Sequence, residues 1–176
     1  MSEIVKVAVD AMGGDNAPGE IVKGAVMAVN EKDNVKVLLF GKEDAIKKEL
    51  EQYTYDKERV EIIPCEEVIE MAEAPVNAIR KKKDSSIVKR MQMTKSGEAD
   101  AFVSAGSTGA VLVGATVLVG RIKGIERAPL APLLPTANGV TLLIDCGANV
   151  DARASHLVQF AQMGSIYMES VMGIPN

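Results

Sequence analysis

Ile4-Val5-Lys6-Val7-Ala8-Val9-Asp10-Ala11-Met12-Gly13-Gly14-Asp15-Asn16-Ala17-Pro18 decides the fold of this chain. A β-branched run leads into an acidic, glycine-rich turn, and helical signals follow at once. Asn16 and Pro18 supply start signals, and Ile21, Val22, Ala25, Ala28 and Val29 recur at helical spacing on one stripe. Strand, tight turn and helix in that order open a βαβ unit. Paired glycines let the backbone take positive φ angles and approach a ligand closely. In an open parallel sheet, ligands bind beyond the carboxyl ends of the strands, which is where this turn stands.

Outward from that stretch the pattern repeats. Short β-branched runs occur at 35–40, 60–63, 101–104 and 140–144. Helices are predicted over 19–32 and 43–53, from Ser85 or Ser86 to a stop at Gly97, through the apolar segment 109–120 opened by Ser107, and over 154–172. Most of the strand runs are nearly continuous in apolar residues, which suits a parallel sheet covered on both faces. The expectation is one α/β domain over residues 1–176, a three-layer α/β/α fold with a mostly parallel sheet. The proline-rich stretch 128–135 reads as an irregular connection. A composition of 47% hydrophobic and 25% charged residues over 176 positions belongs to a packed domain.

Several function classes fall away on composition. With 24 Asp and Glu against 20 Lys and Arg, the net charge of −4 disfavours nucleic acid as a partner. Cys65 and Cys146 lie far apart, which excludes a zinc ribbon and fits a reducing cytoplasm. His156 is the only histidine, so a multi-histidine metal site is impossible and a satisfied structural role is the first expectation for it. The amino terminus, Met1-Ser2-Glu3-Ile4-Val5-Lys6, shows no export signal. Segment 109–120 is shorter than the roughly 18 residues a membrane span needs.

Chemistry is expected at three strand ends. The first carries Asp10, Gly13, Gly14, Asp15 and Asn16, either as a ligand-contacting turn or as ordinary cap and turn residues. The second is Ser104-Ala105-Gly106-Ser107-Thr108-Gly109-Ala110, where hydroxyls and glycines meet a helix start that attracts anions. It lacks the Gly-Lys-Ser/Thr ending of a Walker A loop, and no complete G-x-G-x-x-G occurs, so adenine-nucleotide binding has no support. A serine cap with small residues for close helix packing is the alternative. The third is Asp145-Cys146-Gly147-Ala148-Asn149-Val150-Asp151, in which Asp145 either handles protons or bonds backbone amides and shapes the turn. A helix amino terminus offers about half a positive charge, whereas a phosphate carries nearly two negative ones. Basic side chains must therefore join, and Arg80, Lys83, Arg90 and Arg127 are the candidates, with a solvated surface as the alternative for the lysines of 81–83.

Val9-Asp10-Ala11-Met12-Gly13-Gly14-Asp15, Ala78-Ile79-Arg80 with Ser85-Ser86, Val103-Ser104-Ala105-Gly106-Ser107-Thr108-Gly109-Ala110, Gly147-Ala148-Asn149-Val150-Asp151 and Gln159-Phe160-Ala161-Gln162-Met163-Gly164-Ser165 occur in this order. In these motifs the sequence resembles the amino-terminal half of the bacterial PlsX phosphate acyltransferases, the fatty acid/phospholipid synthesis proteins. The resemblance implies transfer of a fatty acyl group from acyl-acyl carrier protein to inorganic phosphate, giving an acyl phosphate for phospholipid synthesis. It implies a fold like that of phosphotransacetylases and isocitrate or isopropylmalate dehydrogenases. It also implies a homodimer, no metal or cofactor, and a cytoplasmic location peripheral to the inner face of the cell membrane. Family chains are about twice this length, so further strands and membrane-contacting helices are expected in their other half. Ser107 stands where the family often has Asn.

The expected site then has Gly13, Gly14, Ser104, Gly106, Ser107, Thr108 and Gly109 holding phosphate. Asp10, Asp15, Arg80, Lys83 and Asp145 are the candidate catalytic residues. Phosphate would attack the thioester directly. A phosphotransacylase with a coenzyme A donor and a non-catalytic anion-binding fragment are the rival readings. The basic cluster 80–83 favours the acidic carrier protein through steering.

Overall fold

Alternation along Val37-Leu38-Leu39-Phe40 buries side chains on both sides of one strand, and that requires helices above and below it. The computed structural model describes residues 3–175; Met1 and Ser2, part of the amino-terminal reading, and Asn176 lie outside them. The chain divides into two compact units, residues 1–120 and 121–176.

In the first unit, β1 (Val5–Asp10), β2 (Val35–Gly41), β3 (Val60–Pro64) and β4 (Ala101–Val103) form a parallel sheet in the order β3-β2-β1-β4. The chain steps outward from β1 to β2 and β3, then crosses back to lay β4 on the other side of β1. The reversal of strand order therefore falls between the carboxyl ends of β1 and β4. Helix α1 (Gly19–Glu31) turns Val22, Ala25, Val26 and Val29 onto one face of the sheet, where they meet Val9, Val37 and Leu39. Helix α2 (Glu43–Leu50) adds Ile46 and Leu50 to the same cluster. On the other face Ala8, Leu38, Phe40 and Cys65 form a second cluster. Full burial of Leu39, Phe40 or Ile46 contributes about 1.5–3 kcal/mol each.

Helix α3 (Pro75–Lys81) starts with proline in its first turn, and the sequence reading did not foresee it. Helix α4 (Ser86–Ser96) behaves as its residues predict: Ser85 Oγ caps the Val88 amide at 3.4 Å, and Gly97 ends the helix at φ +80°. Helix α5 (Thr108–Gly114) opens on the Ser107 cap, then passes into a π-helical turn over Ala115–Val119 instead of running on as one regular helix. The Thr116 hydroxyl donates to the Leu112 carbonyl at 2.8 Å, a side-chain bond that competes with the helical ladder there.

The second unit corrects one expectation. Run 140–144 is not a fifth parallel strand. β5 (Leu133–Thr136) and β6 (Gly139–Leu142) pair antiparallel, with Thr136 opposite Gly139. Ala137 and Asn138 form the whole connection, far too short for a parallel crossover. The signal was Asn138-Gly139 between two apolar runs, with Gly139 at φ +131°. Part of the stretch read as irregular is thus a strand. Helix α6 (Ala154–Ser170) completes the unit, and it buries His156, Phe160 and Gly164.

Candidate functional site

Because Val9 pairs with Val103, the next residues, Asp10 and Ser104, leave the sheet side by side. Ser104 Oγ donates to Asp10 Oδ2 at 2.8 Å and accepts the Gly106 amide at 3.1 Å. Asp10 Oδ1 accepts the Met12 amide at 3.3 Å. One carboxylate thus ties its own turn and the turn after β4 together. The fit is close: a Cβ on Gly13 would stand 2.5 Å from Asp10 Oδ2 and 2.8 Å from the Gly106 nitrogen. Gly14 sits at φ +102°, against the Ala105 backbone.

From below, α4 contributes Ser86 and Arg90, one helical turn apart on the same face. Ser86 Oγ donates to Asp10 Oδ1 at 2.6 Å. Arg90 is wholly buried, its Nη1 donating to the Val103 carbonyl at 2.8 Å and lying 3.8 Å from Asp10 Oδ2. Its guanidinium carbon stands 5.0 Å from the centre of the Phe102 ring. Burial pulls the Arg90 guanidinium down to about 10, with the Asp10 charge opposing that shift, so it stays charged near neutrality. Among the described residues, its Nε and Nη2 have no hydrogen-bond partner.

The other predicted residues are exposed or bonded elsewhere. Ser107 is buried and spends its hydroxyl on the Ala110 amide at 3.3 Å. Thr108 is exposed at the first position of α5. Gly109 meets α3 instead of the turns: a Cβ there would lie 2.7 Å from Pro75 Cγ. Asp15 is exposed on the first turn. Arg80 is exposed in the last turn of α3, and Lys83 Nζ donates to the Ile79 carbonyl at 3.1 Å.

Asp145 belongs to the second unit, where Oδ1 accepts the Leu130 amide at 2.6 Å and Oδ2 the Asn149 amide at 2.7 Å. Burial pushes its carboxyl up, but the hydrogen bonds from Leu130, Asn149 and Ala148 prevail and hold it below 3.8. Of the two readings for this residue, the geometry is that of the turn-shaping one. His156 is satisfied on both nitrogens: Nδ1 accepts the Arg153 amide at 3.1 Å, and Nε2 stands 3.0 Å from Glu126 Oε2. Cys65 is buried, and desolvation raises its thiol to about 11, while Cys146 is exposed. Among the described residues no cluster of His, Cys, Asp and Glu is arranged to hold a metal ion, and no helix is long and apolar enough to cross a membrane.

Sequence reasoning named Arg90 as one cation among several, and Ser86 as a possible cap and part of a family motif, without joining the two. The signal that joins them was Ser86 and Arg90 at i and i+4, a polar pair on the face of α4 that also carries Ile87 and Met91 inward.

Solved structures with this fold include the EutD phosphotransacetylase from Staphylococcus aureus and a phosphotransacetylase from Streptococcus pyogenes. The TM-scores are 0.67 and 0.65 at 20% and 19% identity, over 97% of this chain and 54% and 55% of theirs. Among sequences, a phosphate acyltransferase of Clostridium novyi (strain NT) is 50% identical over 172 residues, 98% of this chain and 52% of the relative. One from Clostridium botulinum (strain Loch Maree / Type A3) is 52% identical over 168 residues, 96% of this chain and 50% of the relative. The chain thus spans about half the length of the curated relatives it matches. A family model described as fatty acid synthesis protein matches residues 5–176, almost the whole sequence, and the chain belongs to that family.

Proposed function

We infer that this chain holds inorganic phosphate at the paired turns after β1 and β4 and aims it at a fatty acyl thioester. The observation that carries the reading is Asp10 bridging the Gly13 and Gly106 turns at the reversal point of the parallel sheet. Membership of the fatty acid synthesis protein family, with phosphate acyltransferases at half identity, supports the same chemistry.

A phosphate oxygen forms a bond to the thioester carbonyl carbon, the tetrahedral oxyanion collapses, and the carbon–sulfur bond breaks. The sulfur leaves as thiolate and takes the phosphate's proton through solvent. Alignment of two bound reactants supplies roughly 7 kcal/mol or more of the barrier in well-oriented systems. Backbone amides at the turns stabilise the oxyanion. Asp10 and Arg90 neutralise one another formally, so the phosphate charge needs a further cation, for which Arg80 and Lys83 are the proposed sources. The donor is proposed to be acyl-acyl carrier protein, the product an acyl phosphate for phospholipid synthesis, and the protein a homodimer peripheral to the membrane.

Trapping with hydroxylamine tests the reaction. The intact protein, given phosphate and a long-chain acyl-acyl carrier protein, should yield the acyl hydroxamate only when phosphate is present. Absence of phosphate-dependent product with either carrier-protein or coenzyme A donors defeats the reading, and product from coenzyme A alone replaces the proposed donor.

A further inference from the structure

A desolvated guanidinium with two nitrogens that meet no partner among the described residues is a poor way to fill a core. Unpaired buried donors are unfavourable, and an apolar side chain of similar volume would pack beneath β4 with less penalty. Arg90 must therefore be explained by what it touches. It touches the Val103 carbonyl, at the last residue of β4, and it faces Asp10, at the last residue of β1. Ser86, one turn earlier on α4, holds the other oxygen of the same carboxylate.

We propose that Arg90 and Ser86 are positioning residues that lock Asp10 across the two turns and thereby set the affinity for inorganic phosphate. The proposal rests on the phosphate reading above and deepens it. Neither side chain needs to touch the ligand. Asp10 has its oxygens taken by two serine hydroxyls and the Met12 amide, with Arg90 alongside, so it is a brace and not a proton acceptor in the reaction. With the brace in place, Ser104 keeps its hydroxyl on Asp10 and accepts from Gly106, and the Gly13 and Gly106 backbones stay in register. Without it, the carboxylate rotates, Ser104 follows, and both turns loosen together.

The test compares Ser86→Ala and Arg90→Lys with the unaltered intact protein. Three quantities are read: calorimetric affinity for inorganic phosphate, KM for phosphate and for the acyl donor, and amide exchange at Met12 and Gly106. Each variant should weaken phosphate binding by about tenfold, the scale of one hydrogen bond to a charged group, and raise the phosphate KM in parallel. The donor KM should stay within about twofold, and exchange at Met12 and Gly106 should accelerate about tenfold beyond any global change. Unchanged phosphate affinity in both variants overturns the proposal, whatever their thermal stability, as does phosphate binding too weak to measure in the unaltered protein. Phosphate bound normally by the unaltered protein without acyl phosphate formation defeats the proposed function and leaves this assignment to the binding and exchange results.

Discussion

Asp10 and Asp145 look alike in sequence, each an acid following an apolar run, yet the fold uses them differently. Asp10 is 2% exposed and bonds serines 76 and 94 residues away, so it joins three separate elements, β1, α4 and the turn after β4. Asp145 bonds the amide 4 residues on and another 15 residues back, so it ties its own turn to the segment just before the β5–β6 hairpin, within one local stretch of chain. The distant bonds depend on the whole crossover of the first unit, whereas the near ones need only a turn and one hairpin. Only the first arrangement couples the turns at the ends of two parallel strands.

Removing the acids should separate the two regions most. Asp10→Ala leaves the Arg90 charge buried without its partner and two serine hydroxyls without their acceptor, which should destabilise by about 3–5 kcal/mol. Asp145→Ala loses hydrogen bonds at a partly exposed loop and should reduce stability by about 1 kcal/mol. Urea unfolding of both variants measures this, and equal losses would erase the contrast.

Adding a methyl to a glycine sharpens it further. Gly13→Ala drives a Cβ into the Asp10 carboxylate and the Gly106 amide, an overpacking worth about 1–3 kcal/mol, and should abolish phosphate-dependent turnover. Gly147→Ala meets open space and suffers only from φ +77°, about 1 kcal/mol, with turnover retained. A Gly13→Ala protein with ordinary phosphate saturation would remove that turn from the site.

The smallest effect concerns acid. Hydrogen bonds hold the Asp145 carboxyl below its ordinary 3.8, so its contribution to stability is complete above that value. It disappears as the pH falls through the lower folded value. Asp145→Asn should flatten this limb of a melting-temperature profile taken below about pH 4, and a profile identical to the unaltered protein's would show that the loop bonds do not survive in solution.

Much of the first unit was legible because its signals are local. Ser85 and Gly97 bound α4, Ser107 opens α5, and the run 4–9 with its glycine turn marks β1 and the start of α1. The hairpin in the second unit was misread because an apolar run such as 140–144 has the same composition in either strand direction. Its pairing is set by the two-residue link, and the run itself does not encode it. Within the expected site, Gly109 was grouped with Gly106 by proximity in sequence, but the helix turns it toward Pro75.

By itself the sequence determined the alternation of strands and helices, the caps, and the glycine turns at strand ends, all of which arise from interactions among residues a few positions apart. Tertiary structure alone decided that Ser86, Arg90 and Ser104 converge on Asp10. That convergence exists because the chain returns across β1 to place β4, and periodicity carries no information about which distant strand will lie alongside.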